Sequence, residues 1–114
     1  SRSDRIKHAF SFHLGDQVLE GRDLSADSLS VYCPLNFKDG QFYFYKGQNI
    51  KDCFIQIEGK TFYFTCLHVT RLEKENNIIV YGIQIDFIIP QEQQRYEAFY
   101  STLTQSADKS GSHQ

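Results

Sequence analysis

Between residues 8 and 14, apolar Phe10, Phe12 and Leu14 alternate with Ser11 and His13, the two-residue period of a strand with one buried face. Gly15-Asp16 marks a turn, and a second strand is predicted over Gln17–Leu24. The polar break Ser25-Ala26-Asp27-Ser28 leads into a third, in which Leu29, Val31 and Cys33 share a face until Pro34 stops it. Residues 36–49 read as a turn at Phe37-Lys38-Asp39-Gly40, a short aromatic strand at Phe42-Tyr43-Phe44-Tyr45, and a second turn at Lys46-Gly47-Gln48-Asn49. Strands over 53–57 and 61–71 flank Glu58-Gly59, an acidic-Gly pair that favours a tight antiparallel hairpin. After the polar turn 73–77, Ile79, Tyr81, Ile83, Ile85 and Phe87 alternate with Val80, Gly82, Gln84 and Asp86, the clearest strand in the chain.

The period changes after Pro90. Tyr96, Phe99, Tyr100 and Leu103 fall at i, i+3, i+4 and i+7 with polar residues between them, which predicts an amphipathic helix over 91–104. Its aromatic face requires a partner, because a short isolated helix is marginal in water. Residues 106–114 carry no large apolar side chain and read as a flexible polar tail. Six or seven short strands followed by one helix describe an all-β domain, a small antiparallel barrel or sandwich with a C-terminal helix.

Composition supports this. With 114 residues the chain makes one domain, and 7 Tyr with 10 Phe against no Trp or Met favour pleated, half-buried strands. Twelve Lys and Arg against 14 Asp and Glu give a net charge of −2, which lacks the basic footprint of a duplex nucleic-acid binder but leaves room for a local anion pocket. Cys33, Cys53 and Cys66 are odd in number and too far apart for a zinc knuckle, so a reducing, cytoplasmic setting is expected and no metal is. No apolar run is long enough to cross a membrane.

Catalytic patterns such as GxSxG, HExxH, the P-loop and GxGxxG are missing. His8, His13 and His68 sit on half-buried strands as packing or surface groups, so the expected role is non-enzymatic and without a cofactor. The aromatic runs at 42–45 and 62–64 read first as core, with Tyr43, Tyr45 and Tyr63 left to face outward as a contact patch for a protein partner.

One segment says more. Asp23-Leu24-Ser25-Ala26-Asp27-Ser28 joins two alternating strands, and Asp23 and Ser25 are ordinary turn formers whose side chains cap local backbone groups. It follows a basic N-terminus, Ser1-Arg2-Ser3-Asp4-Arg5-Ile6-Lys7, and the chain ends with Tyr81-Gly82-Ile83-Gln84-Ile85-Asp86-Phe87 and a helix. In order and spacing this resembles the PilZ domain, the bacterial receptor module for cyclic di-GMP: an R-x-x-x-R segment, then D/N-x-S-x-x-G, then y-G-i-x-x-x-F before a C-terminal helix. The resemblance covers about residues 1–105 and implies a PilZ-like barrel.

Two departures stand out. Counting back from Arg5, the first-Arg position falls on Ser1, and Arg2 is one residue late. Either Arg2 substitutes, or Ser1 replaces a native residue, or the motif has decayed. Ser28 occupies the Gly position; if that position needs φ > 0, Ser there costs on the order of 1 kcal/mol.

The resemblance implies a ligand site of Arg2, Arg5, Asp23, Ser25 and Ser28. Arg suits a guanine Hoogsteen edge or a phosphate through its planar fork, and an Asp carboxylate accepts from guanine N1–H and N2–H. The implied function is a cytoplasmic signalling domain that binds cyclic di-GMP and acts on a protein partner or attached output domain. The alternatives are a degenerate PilZ adaptor that binds no nucleotide, and an unrelated small barrel for a hydrophobic ligand.

Overall fold

A computed structural model describes residues 5–33 and 44–112, with the helix side chains as far as Gln105. The alternating segments form β1 (Ile6–Lys7), β2 (Ser11–Leu14), β3 (Gln17–Leu24), β4 (Ser28–Tyr32), β5 (Asn49–Ile57), β6 (Lys60–Glu75) and β7 (Ile78–Ile85), followed by α1 (Pro90–Ser112). The strands pair antiparallel in the order β1-β3-β2-β5-β6-β7-β4, and β4 returns to β3. Six strands therefore close a barrel, with β1 laid outside the ring on the end of β3. This is the expected all-β, PilZ-like barrel with its C-terminal helix.

Boundaries differ where local sterics intervene. The strand predicted over 8–14 is shortened to β2, residues 8–10 leave the ladder, and the additional strand β1 precedes them; β1 and β2 pair with β3 in registers one residue apart. The cause is Phe10, whose ring lies so close over Gly21 that a Cβ there would sit 2.4 Å from it. Gly21 lets the ring enter, and the ladder bulges around it.

The hairpins at Glu58-Gly59 and Asn76-Asn77 place both central residues at positive φ (51° and 76°, 48° and 69°), the twist that matches right-handed strands. The second turn is thus only two residues, and β6 runs on to Glu75 instead of stopping at 71. Phe44 and Tyr45 lie outside any strand; the turn at 37–40 and residues Phe42 and Tyr43 fall outside the described residues. Helical backbone continues past 104 to Ser112, since no proline interrupts that stretch.

Inside the barrel, Phe12, Leu29, Val31, Ile55, Leu67, Tyr81 and Ile83 are fully buried. The helix closes the assembly with the predicted face: Tyr96, Phe99, Tyr100 and Leu103 are all buried. Tyr96 meets Phe64 edge-on at 5.3 Å and Phe62 at 6.0 Å, and Phe99 lies 4.9 Å from Phe62.

On the outside, strand register aligns one polar row. Asp23 is directly opposite Ser30, Ser30 opposite Gly82, and Gly82 opposite Arg71. Directly opposed residues point to the same face, so these four span β3, β4, β7 and β6 on the outer wall.

Candidate functional site

The site is built where β3 turns into β4. Ser25 N donates to Ser28 O at 2.8 Å, closing the turn, and the Ser25 hydroxyl lies 2.7 Å from Ser28 Oγ and donates to Asp27 Oδ1 at 3.2 Å. From the stretch just before β1, Arg5 reaches across: Nη1 donates to Asp23 Oδ1 at 2.8 Å, and Nη2 to Ser28 Oγ at 2.9 Å. On the other carboxylate oxygen, Arg22 Nε donates to Asp23 Oδ2 at 2.8 Å, while its Nη1 reaches Glu75 at 2.6 Å.

Asp23 is thereby held by a guanidinium on each oxygen, with only 4% of its surface exposed. Burial alone raises its pKa, but the Ser30 hydrogen bond and the charges of Arg22 and Arg5 outweigh it and keep the carboxyl below its ordinary range. Asp23 is consequently ionised at neutral pH, and a buried carboxylate needs such partners. Beneath, Tyr96 donates its hydroxyl to Ser25 O at 2.6 Å, so the helix grips the same turn.

Of the sequence-predicted residues, Arg5, Asp23, Ser25 and Ser28 come together here, and Arg2 lies outside the described residues. The strain considered at Ser28 does not arise. Among the described residues, the non-glycine residues with positive φ are Asp52, Glu58, Asn76 and Asn77, while Ser28 starts β4 in extended backbone. Its hydroxyl is a partner of Arg5, where glycine offers none.

Arg22, Ser30, Glu75 and Tyr96 were not among the site residues expected from the sequence. Arg22 was given no role of its own within the strand Gln17–Leu24, and Glu75 fell in the predicted turn 73–77. Strand alternation does carry a signal for Arg71: an isolated Gly in a strand marks a close approach, and a Cβ on Gly82 would lie 2.7 Å from Arg71 Nε.

The arrangement offers hydrogen bonds and charge. Burial pushes the Cys53 thiol up to about 12, which removes it as a nucleophile at neutral pH. Among the described residues, no three His, Cys, Asp or Glu side chains converge as a metal site, and no helix is long and apolar enough to cross a membrane.

No protein-family model and no curated protein matches the chain in sequence. Solved structures do match in shape. The K. pneumonia MrkH complex with c-di-GMP superimposes at a TM-score of 0.78 with 14% identity, over 96% of this chain and 55% of MrkH. Escherichia coli YcgR in complex with c-di-GMP gives 0.72 and 13%, over 97% and 49%. The PilZ domain of that YcgR, with c-di-GMP, gives 0.70 and 13%, over 100% and 98%.

The chain has the PilZ-domain fold. It spans about half the length of MrkH and YcgR and nearly all of the isolated PilZ domain. The PilZ barrel accounts for the closure of β3 on β4, which puts the Ser25–Ser28 turn beside the entering N-terminal segment.

Proposed function

We propose that this domain binds cyclic di-GMP without turning it over and passes the bound state to an attached domain or a protein partner in the bacterial cytoplasm. The observation that carries this reading is the meeting of Arg5, Asp23, Ser25 and Ser28 on the outer wall of a PilZ-fold barrel. Arg5 exchanges Asp23 and Ser28 for a guanine edge or a phosphate. Arg22 stays on Asp23 and keeps it ionised, so the freed Oδ1 accepts from guanine N1–H or N2–H. Arg2, three positions before Arg5 in the sequence, adds a second guanidinium. Because Tyr96 holds Ser25, a rearranged turn is felt by α1.

Calorimetry with cyclic di-GMP, against cyclic di-AMP and GTP, tests the reading. Arg5→Ala and Asp23→Ala are each expected to weaken binding by about 1–3 kcal/mol. Undiminished affinity in both folded variants defeats the site assignment.

One observation favours the nucleotide-free adaptor instead. Arg5 is already engaged by Asp23, Ser28 and Ser30, while the opposite wall displays His13 stacked on Phe54 at 4.5 Å and Tyr63 with 62% of its surface exposed. That reading expects no heat from wild type with cyclic di-GMP, and binding of a protein partner to the aromatic wall.

A further inference from the structure

The edge of β6 beside α1 is incomplete. Ile57 and Lys60 close the two-residue turn Glu58-Gly59, so Lys60, Phe62 and Phe64 bond to β5 and the residues between them turn their backbone groups the other way. On that other side β7 pairs with β6 only from Leu67 onward, and among the described residues no strand lies along 61–65. The helix supplies substitutes. Arg95 Nη1 donates to Thr61 O at 2.6 Å, and Glu92 accepts from Thr65 N at 3.1 Å and from Thr65 Oγ1 at 2.6 Å. A guanidinium thus stands where a neighbouring strand would place an amide, and a carboxylate where it would place a carbonyl. Tyr63, midway between them, turns its own N–H and C=O to the same edge.

Between this edge and the helix runs a groove. A cleft of about 160 Å³ is lined by Phe62, Tyr63, Gln91, Glu92 and Arg95, and one of about 290 Å³ continues past Arg95 to Lys60, Phe99 and Thr102. From Gln91 to Thr102 the helix rises roughly 16 Å, the length of about five residues of extended chain. The floor is apolar, made by Phe62 and Phe99 with ring centroids 4.9 Å apart. The rim is cationic. Lys60 is exposed and, among the described residues, in no ion pair, while Arg95 Cζ stands 4.8 Å over the Phe62 ring. Because Glu92 is engaged by Thr65, these two cations make the groove locally positive in a chain of net charge −2.

We propose that this groove takes an extended, acidic peptide segment of a protein partner, which adds to β6 as a strand along residues 61–65. An amide of the segment replaces Arg95 on Thr61 O, and its backbone meets the N–H and C=O of Tyr63. The released guanidinium, with Lys60, pairs the acidic side chains of the segment. An apolar side chain of the same segment lies on the Phe62–Phe99 floor. Main-chain pairing demands an extended partner, and the cationic rim selects an acidic one. The inference holds whether or not cyclic di-GMP binds, and the edge is distinct from the outward aromatic wall of His13 and Phe54.

The test is an NMR titration of the isotope-labelled full chain with an end-blocked heptapeptide that alternates valine and aspartate. Two controls accompany it: the same peptide with lysine for aspartate, and the acidic peptide N-methylated at every amide, which keeps charge and side chains but donates no main-chain hydrogen bond. The acidic peptide is expected to shift the amides of Thr61, Tyr63 and Thr65 saturably. Binding should be roughly tenfold weaker for the lysine peptide, and for the acidic peptide on Lys60→Glu. The N-methylated peptide should leave these amides unmoved. Tyr63→Pro removes the edge amide but leaves the bonds of Phe62 and Phe64 to β5, so it should abolish the shifts at Thr61 and Thr65; if that variant does not fold, the N-methylated peptide reads the same pairing from the ligand side. No saturable shift at millimolar acidic peptide overturns the proposal. Undiminished binding of the N-methylated peptide overturns strand addition, equal binding of the lysine peptide overturns the acidic partner, and shifts centred on His13 and Phe54 overturn the edge in favour of the aromatic wall.

Discussion

Two contact zones meet at Ser25 and obey different rules. Toward the helix, Tyr96, Phe62, Phe64 and Phe99 form an aromatic seam in which shape and burial set the energy. Toward solvent, Asp23, Arg5, Arg22 and Ser28 form a polar face in which every group has a named partner at hydrogen-bond distance. The seam stabilises the domain without selecting a ligand. The face costs desolvation to assemble and contributes less stability, but it presents directed donors and acceptors. Losses in the seam should therefore unfold the protein, whereas losses on the face should leave a folded protein with altered binding.

The sharpest break is Phe99→Ala, expected to cost about 3–5 kcal/mol, the usual penalty for emptying a buried aromatic site. Urea denaturation measures it, and a change within error would show the seam to be dispensable. On the face, Asp23→Ala should cost about 1–3 kcal/mol, because two partly buried guanidinium groups lose one shared partner. The same carboxylate predicts a pH dependence. Its pKa is lower folded than unfolded, so its stabilisation is present above the ordinary carboxylate value and fades as pH falls through the lower folded one. Stability measured from neutral pH into the acid range should show this slope in wild type and lack that share of it in Asp23→Asn.

Ser28→Gly sharpens the contrast. Ser28 has no left-handed strain to relieve and its hydroxyl holds Arg5 and Ser25, so glycine should destabilise by about 0.5–1.5 kcal/mol, read by the same denaturation. Had the position needed positive φ, the sign would be reversed.

The smallest effect belongs to a pair outside both zones. His8 is bonded to Ala9 O and Glu58, and these raise its pKa against the opposing effect of partial burial. Its contribution is full below the unfolded value near 6.5 and disappears as pH rises through the folded one. About 0.2–1 kcal/mol is at stake, and Glu58→Gln should reduce the dependence.

The seam was legible in the sequence and the face only in part. Tyr96, Phe99, Tyr100 and Leu103 declare a buried stripe by spacing alone, and Gln17–Leu24 was bounded correctly, because periodic burial is written locally. Arg5 and Asp23 were found through motif order, not through periodicity. Arg22 and Glu75 could not be, since they lie 53 residues apart in sequence and only barrel closure joins them. Phe10 over Gly21 likewise cut short a strand that alternation alone draws from residue 8.

The Tyr96 bond to Ser25 has a consequence for synthesis as well. Its partners are 71 residues apart, and the tyrosine belongs to the helix that follows all seven strands. On the ribosome, β3 and β4 emerge and can pair long before the helix exists, leaving the Ser25 carbonyl without its native donor. The Ser25–Ser28 turn thus acquires its final support only when translation has passed residue 96, and a nascent chain halted before that point lacks both the helix that covers the barrel and the tyrosine that anchors this turn.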